Sequence, residues 1–123
     1  MDSFGDMIRK LREEKELPLR TVAAYLDIDQ AIISKVERNH RRLARDLVVK
    51  LAEYFNVNES DLLVAWLSDN IVYELEDEDL ALKAMMVAEE KIKYITKNKK
   101  DVTTQEGINF LKLQVPEKHF ERF

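Results

Sequence analysis

The chain has 123 residues, with 24 acidic and 20 basic side chains and a net charge of −4 at neutral pH. That length bounds it to one small domain, or one domain with an extension. Two Gly and two Pro are too few for a sandwich or barrel full of tight turns, and the lack of cysteine excludes disulfides, thiolate metal sites and a Cys nucleophile.

Phe4, Ile8 and Leu11 recur at helical spacing among charged residues, which predicts an amphipathic first helix. Pro18 suits the first turn of a second helix, where its missing N–H costs nothing; that helix carries Val22, Ala23 and Leu26 and ends near Asp27. Asp29 is a good N-cap for a third helix bearing Ile32, Ile33 and Val36. Asp27 and Asn39 both tolerate the left-handed conformation that terminates helices. A fourth helix has Leu47, Val48, Leu51, Ala52 and Phe55 on one face. Asn58 caps a fifth, with Asp61 three residues on as a capping-box variant, and this helix runs through Leu62, Leu63 and Trp66 towards Val72.

The acidic run Glu74 to Asp79 marks a boundary. Asp77 or Asp79 is placed to cap a long sixth helix, whose stripe is Ala81, Ala84, Met85, Ala88, Ile92 and Ile95, and fraying is expected at Lys97 to Lys100. Beyond it lies one strand-like run, Ile108 to Val115, in a tail that also holds Phe110, Phe120 and Phe123. The expected division is a domain over 1–67, a helical extension over 68–100 and a tail of unassigned role over 101–123. No stretch approaches the roughly 18 apolar residues of a membrane span, and "MDSFGDMIRK" has no signal-peptide core, so a soluble cytoplasmic protein with no membrane partner is expected.

Charge is distributed unevenly. From Ser34 to Arg45 there are five Lys/Arg and a single acid, Glu37, with His40 among them. On composition alone such a cluster is usually a solvated face. Its position after a short helix, a three-residue turn (Asp27–Ile28–Asp29) and a second short helix gives it another reading. That arrangement is the unit used to enter the DNA major groove.

These residues resemble a known family. "MIRKLREEKELPLRTVAAYLDIDQAIISKVERN" and "LVVKLAEYFNVNESDLL" match the order and spacing of the Cro/repressor (XRE) helix-turn-helix domain, and the likeness spans residues 4–63. The resemblance implies an all-α fold: a five-helix, lambda-repressor-like DNA-binding domain followed by a long helix and a tail. It implies that the third helix reads DNA, with Gln30, Ala31, Ser34 and Lys35 facing the bases. Gln bonds adenine bidentately, Lys donates to guanine, and Ala offers apolar contact. Leu19, Arg38, His40, Arg41, Arg42 and Arg45 would lie beside the phosphates, which fix register without reading sequence. Leu19 stands where many family members carry a DNA-contacting Gln, so only backbone N–H groups remain there to meet a phosphate. Arg12 and Glu37 match a family ion pair tying the first helix to the third, a structural role.

The implied partner is a double-stranded, palindromic operator bound by a homodimer. Leu63, Trp66, Leu67 and Ile71 on the fifth helix and Ala84, Met85, Ala88 and Ile92 on the sixth are the expected dimer interface, although Trp66 with its neighbours equally suits closure of the domain's own core. Regulators of this build resemble phage repressors, restriction–modification controllers and antitoxins. The competing function is an antitoxin-like interaction protein whose C-terminal half binds a protein partner, with residues 101–123 the candidate contact. No enzyme is expected. Ser34 has no His partner, two isolated glycines build no phosphate loop, and His40 and His119 stand too far apart for a His-rich site. The Glu74 to Asp79 run reads as helix-start charge, so neither metal nor cofactor is expected.

Overall fold

The computed structural model describes residues 2–101, and every regular element among them is an α-helix. Residues 2–76 form one compact unit, and the described residues from Asp77 belong to a second. The first unit contains α1 (Phe4–Glu14), α2 (Leu19–Leu26), α3 (Gln30–Glu37), α4 (Arg45–Phe55) and α5 (Glu59–Leu75). The described part of the second is α6 (Ala81–Asp101).

Side-chain caps start three of these helices. Ser3 and Asp6 close a full capping box on α1: Ser3 Oγ accepts from the Asp6 N–H at 3.1 Å, and Asp6 Oδ2 accepts from the Ser3 N–H at 3.3 Å. Asp29 accepts from the Ala31 N–H (2.9 Å), and Asn58 from the Asp61 N–H (3.1 Å). Pro18 occupies the N-cap of α2 and not its first turn; it supplies no side-chain acceptor there. Four helix ends turn on non-glycine residues with left-handed backbone: Glu16 (φ 54°), Asp27 (55°), Asn39 (62°) and Asn56 (54°). After each, an N–H reaches back to a carbonyl five residues earlier, from Leu17, Ile28, His40 and Val57 to Arg12, Ala23, Lys35 and Ala52. This is the Schellman pattern, which satisfies carbonyls left orphaned at a helix end.

The five helices enclose one core. Ile8, Val22, Leu26, Ile33, Val48, Leu51, Phe55 and Leu62 are fully buried within it, one or more from every helix. α5 is a single helix through Leu75, so the division expected after residue 67 falls inside it. No Gly or Pro interrupts residues 68–75, and Asp69 Oδ2 accepts the Phe4 N–H at 2.8 Å, which ties this later stretch of α5 to the start of α1.

α6 differs from expectation at both ends. It begins at Ala81, so neither Asp77 nor Asp79 stands at its cap position, and it continues through Lys97 to Lys100 instead of fraying. Lys ranks among the better helix formers and no Gly or Pro intervenes, so propensity favours continuation. The strand-like run Ile108 to Val115, His119, Phe120 and Phe123 lie outside the described residues. No helix of the described residues is long and apolar enough to cross a membrane.

Candidate nucleic-acid interface

α2 and α3 are joined by Asp27, Ile28 and Asp29. The left-handed Asp27 reverses the chain, half-buried Ile28 packs against the core, and Asp29 caps α3. This corner is pinned from two sides. On α3 itself, buried Ile33 and Val36 anchor one face. Glu37, also buried, receives the Arg12 guanidinium through two hydrogen bonds, Nε to Oε2 at 2.7 Å and Nη2 to Oε1 at 2.9 Å. Arg12 Nη1 donates to the Leu17 carbonyl at 2.9 Å, so one side chain fixes α1, the α1–α2 turn and α3 together. Hydrogen bonding to Glu37, outweighing the desolvation of partial burial, raises the Arg12 pKa above its ordinary value.

Gly5 allows α1 to approach this closely. A Cβ at that position would collide with the Val36 carbonyl oxygen and stand 2.6 Å from Asn39 Oδ1 and 2.8 Å from the Glu37 carbonyl oxygen. The end of α3 therefore rests directly on α1 backbone.

The opposite face of α3 is free. Gln30, Ala31 and Lys35 are exposed, and Ser34 is half-buried between them. At spacings i, i+1, i+4 and i+5 the four share one side of the helix, away from Ile33 and Val36. Because Glu37 is turned inward onto Arg12, the only acid between Ser34 and Arg45 does not offset the exposed charge of Lys35, Arg38, Arg41, Arg42 and Arg45.

The loop after α3 holds its cations in particular ways. Arg38 folds back on its own helix, donating from Nε to the Ser34 carbonyl at 3.3 Å. His40 and Arg41 are exposed, and Arg45 opens α4. Arg42 lies over the Trp66 ring, with its guanidinium carbon 3.9 Å from the centroid. Trp66 Nε1 donates to the Leu43 carbonyl at 2.8 Å, and Leu43 itself is buried. Leu19 is half-buried against the core, so only the uncapped backbone of the α2 start faces outward there.

Trp66 therefore leaves the expected dimer interface. At 8% exposure it closes the domain's own core and braces the α3–α4 loop from beneath. A buried indole needs an acceptor for its N–H, and the Leu43 carbonyl is that acceptor. Of the other expected interface residues on α5, Leu63 is half-buried, while Leu67 and Ile71 are each 42% exposed. On α6, Ala84, Met85, Ala88 and Ile92 are exposed. Among the described residues no group of three or more His, Asp or Glu is positioned to hold a metal ion.

Reading residue types in order did not single out Gly5, Asp69 or the partners of Trp66. The one signal in the sequence is that Trp66 is the lone Trp; Leu43 and Arg42 lie 23 and 24 positions before it.

Five helices with this corner between the second and third define a helix-turn-helix module. Residues 8–62 match the family model described as Helix-turn-helix. The chain is similar to the HTH-type transcriptional repressor RghR of Bacillus subtilis (strain 168), at 34% identity over 64 residues, covering 51% of this chain and 47% of that protein. The chain thus spans about half the length of the curated relative it matches. Among solved structures it resembles the restriction-modification controller protein C.AhdI from Aeromonas hydrophila, at 30% identity and a TM-score of 0.45, covering 48% of this chain and 89% of that one.

Proposed function

We propose that this chain is a sequence-specific DNA-binding transcriptional regulator that acts as a dimer and represses through a palindromic operator. The observation that carries the reading is the two-sided α3. One face is locked by Ile33, Val36 and the Arg12–Glu37 pair; the other presents Gln30, Ala31, Ser34 and Lys35, with an uncompensated basic loop directly after it. A rigid helix with free donors suits reading base edges in the major groove, and the flanking arginines suit phosphates. The match of residues 8–62 to the helix-turn-helix model and the similarity to a repressor support the same reading.

Roles divide by chemistry. Gln30 and Lys35 read bases, with Ala31 and Ser34 filling the surface between them. Arg38, His40, Arg41, Arg42, Arg45 and the backbone at Leu19 meet phosphates. Dimer contacts fall to Leu63, Leu67 and Ile71 of α5 and to the exposed stripe of α6. The chain carries out no catalysis.

The test is selection of bound DNA from a random pool, followed by the salt dependence of affinity for the winner. The expected result is a palindrome whose half-sites lie about 34 Å apart. Its log affinity should fall with log salt by roughly 0.9 per phosphate neutralised. A folded protein that enriches no sequence would refute the proposal.

A further inference from the structure

Trp66 lies beyond the segment that matches the helix-turn-helix model, yet its side chain reaches the basic loop after α3. Two parts of the indole act there. The N–H donates to the Leu43 carbonyl at 2.8 Å, and the ring face lies under Arg42, whose guanidinium carbon is 3.9 Å from the centroid. Trp66 is 8% exposed and Leu43 2%, so the support is anchored in the core. One indole therefore holds both the backbone next to Arg42 and the Arg42 side chain.

The manner of this hold decides what Arg42 can still do. An aromatic ring attracts a cation through its face and takes no N–H donor from it. Arg42 forms no ion pair or hydrogen bond through its side chain among the described residues, so its guanidinium donors all remain unspent. The other cations of the loop differ. Arg38 spends Nε on the Ser34 carbonyl, and Arg41 and Arg45 are exposed with no ring beneath them. A guanidinium grips a phosphate through two parallel N–H bonds, which requires a set orientation, and an unheld arginine gives up rotamer freedom to reach it. Arg42 combines a preset orientation with unspent donors. Arg41 and Arg45 beside it favour a polyanion over a single acid.

We propose that Trp66 is a positioning residue for DNA binding, a role that rests on the DNA-binding reading above: it holds Arg42 as a preset fork for one backbone phosphate. Trp66 touches no DNA itself and acts through Arg42. A determinant of binding thus comes from α5, outside the matched segment.

The test is a double-mutant cycle on the affinity of the full chain for a short duplex of random sequence at low salt. Phosphate contacts supply nearly all non-specific binding, so this probe reports on Arg42 without knowledge of the operator. Trp66→Phe should weaken binding about two- to tenfold for each subunit bound. In an Arg42→Ala background the same substitution should leave affinity unchanged, whereas in an Arg41→Ala background its full effect should persist. Arg42→Lys alters only an exposed side chain and leaves the core intact. It keeps the charge but loses the planar fork, and should also weaken binding about two- to tenfold. If Trp66→Phe weakens binding equally with and without Arg42, Trp66 is only structural and the positioning role is wrong. Arg42→Lys binding as tightly as wild type overturns it too, even where Trp66→Phe fails to fold. A folded wild-type chain that binds no duplex removes the DNA reading and the positioning role together. Binding with an additive cycle removes the positioning role alone.

Discussion

Arg12→Met removes a guanidinium that makes two hydrogen bonds to Glu37 and one to the Leu17 carbonyl, and it leaves a carboxylate in place whose side chain is 6% exposed. Stranding a buried charge costs about 3–5 kcal/mol. A unit of this size has total stability of about 4–11 kcal/mol. One substitution therefore takes a large share of it, and the melting temperature should fall by roughly 12–40 °C. Glu37→Gln keeps an acceptor for Arg12 and should cost less, about 1–2 kcal/mol. The double variant Arg12→Met with Glu37→Met replaces the pair with apolar volume and should recover most of the loss, giving a coupling of about 2 kcal/mol or more. Trp66 is the only Trp, so urea unfolding followed by its fluorescence reports on this unit directly. Because hydrogen bonding to Glu37 raises the Arg12 pKa, the contribution of Arg12 is fully present below its ordinary value and is lost only as pH climbs through the raised one. Titration of Arg12 should therefore leave the difference between wild type and variant unchanged between about pH 6 and pH 9. If both single variants lose less than about 1 kcal/mol and their effects simply add, the pair is not the tie described here.

Gly5→Ala forces a methyl into the Val36 carbonyl and should destabilise by about 1–3 kcal/mol, measured by the same urea titration. Glu16→Gly relieves a left-handed backbone at the end of α1 and should stabilise by about 0.5–1 kcal/mol; no gain in urea midpoint would mean that Glu16 is not strained. Trp66→Phe removes the donor to the Leu43 carbonyl and weakens the platform under Arg42, with a stability loss of about 1–3 kcal/mol. If Arg42 meets a phosphate from that platform, the variant should also reduce the salt slope of DNA binding, and a slope identical to wild type would detach Arg42 from the interface. Lys35→Ala should weaken binding to the selected site by about 1–3 kcal/mol and relax preference at one base position, whereas Arg41→Ala should weaken all sequences alike. Identical behaviour of the two across a panel of sites would undo the division between base reading and phosphate contact.

Local rules carried much of this protein. The apolar faces of α1 to α4, the caps at Asp29 and Asn58, and the left-handed turns at Asp27 and Asn39 depend on a residue and its near neighbours, so their pattern can be read in order along the chain. The candidate recognition face is of the same kind, because two buried aliphatics at i and i+3 settle which side of an eight-residue helix is left outside. The ends of α6 were less legible. Acids before a helix suggest a cap, and a lysine run suggests fraying, yet the helix begins later and runs further than either signal implies.

Composition and spacing by themselves determined the helices up to α6, the short corner between α2 and α3 and the concentration of positive charge after α3. Tertiary structure decided what those charges are free to do. It turned Glu37 inward onto Arg12 across 25 positions, so the basic loop keeps its full charge. It moved Trp66 from an expected subunit contact to a brace under that loop, 23 positions from the carbonyl it holds. It also set Gly5 where a side chain would collide with backbone more than 30 positions away. Each depends on which atoms meet when distant segments pack, and spacing along the chain does not encode that distance.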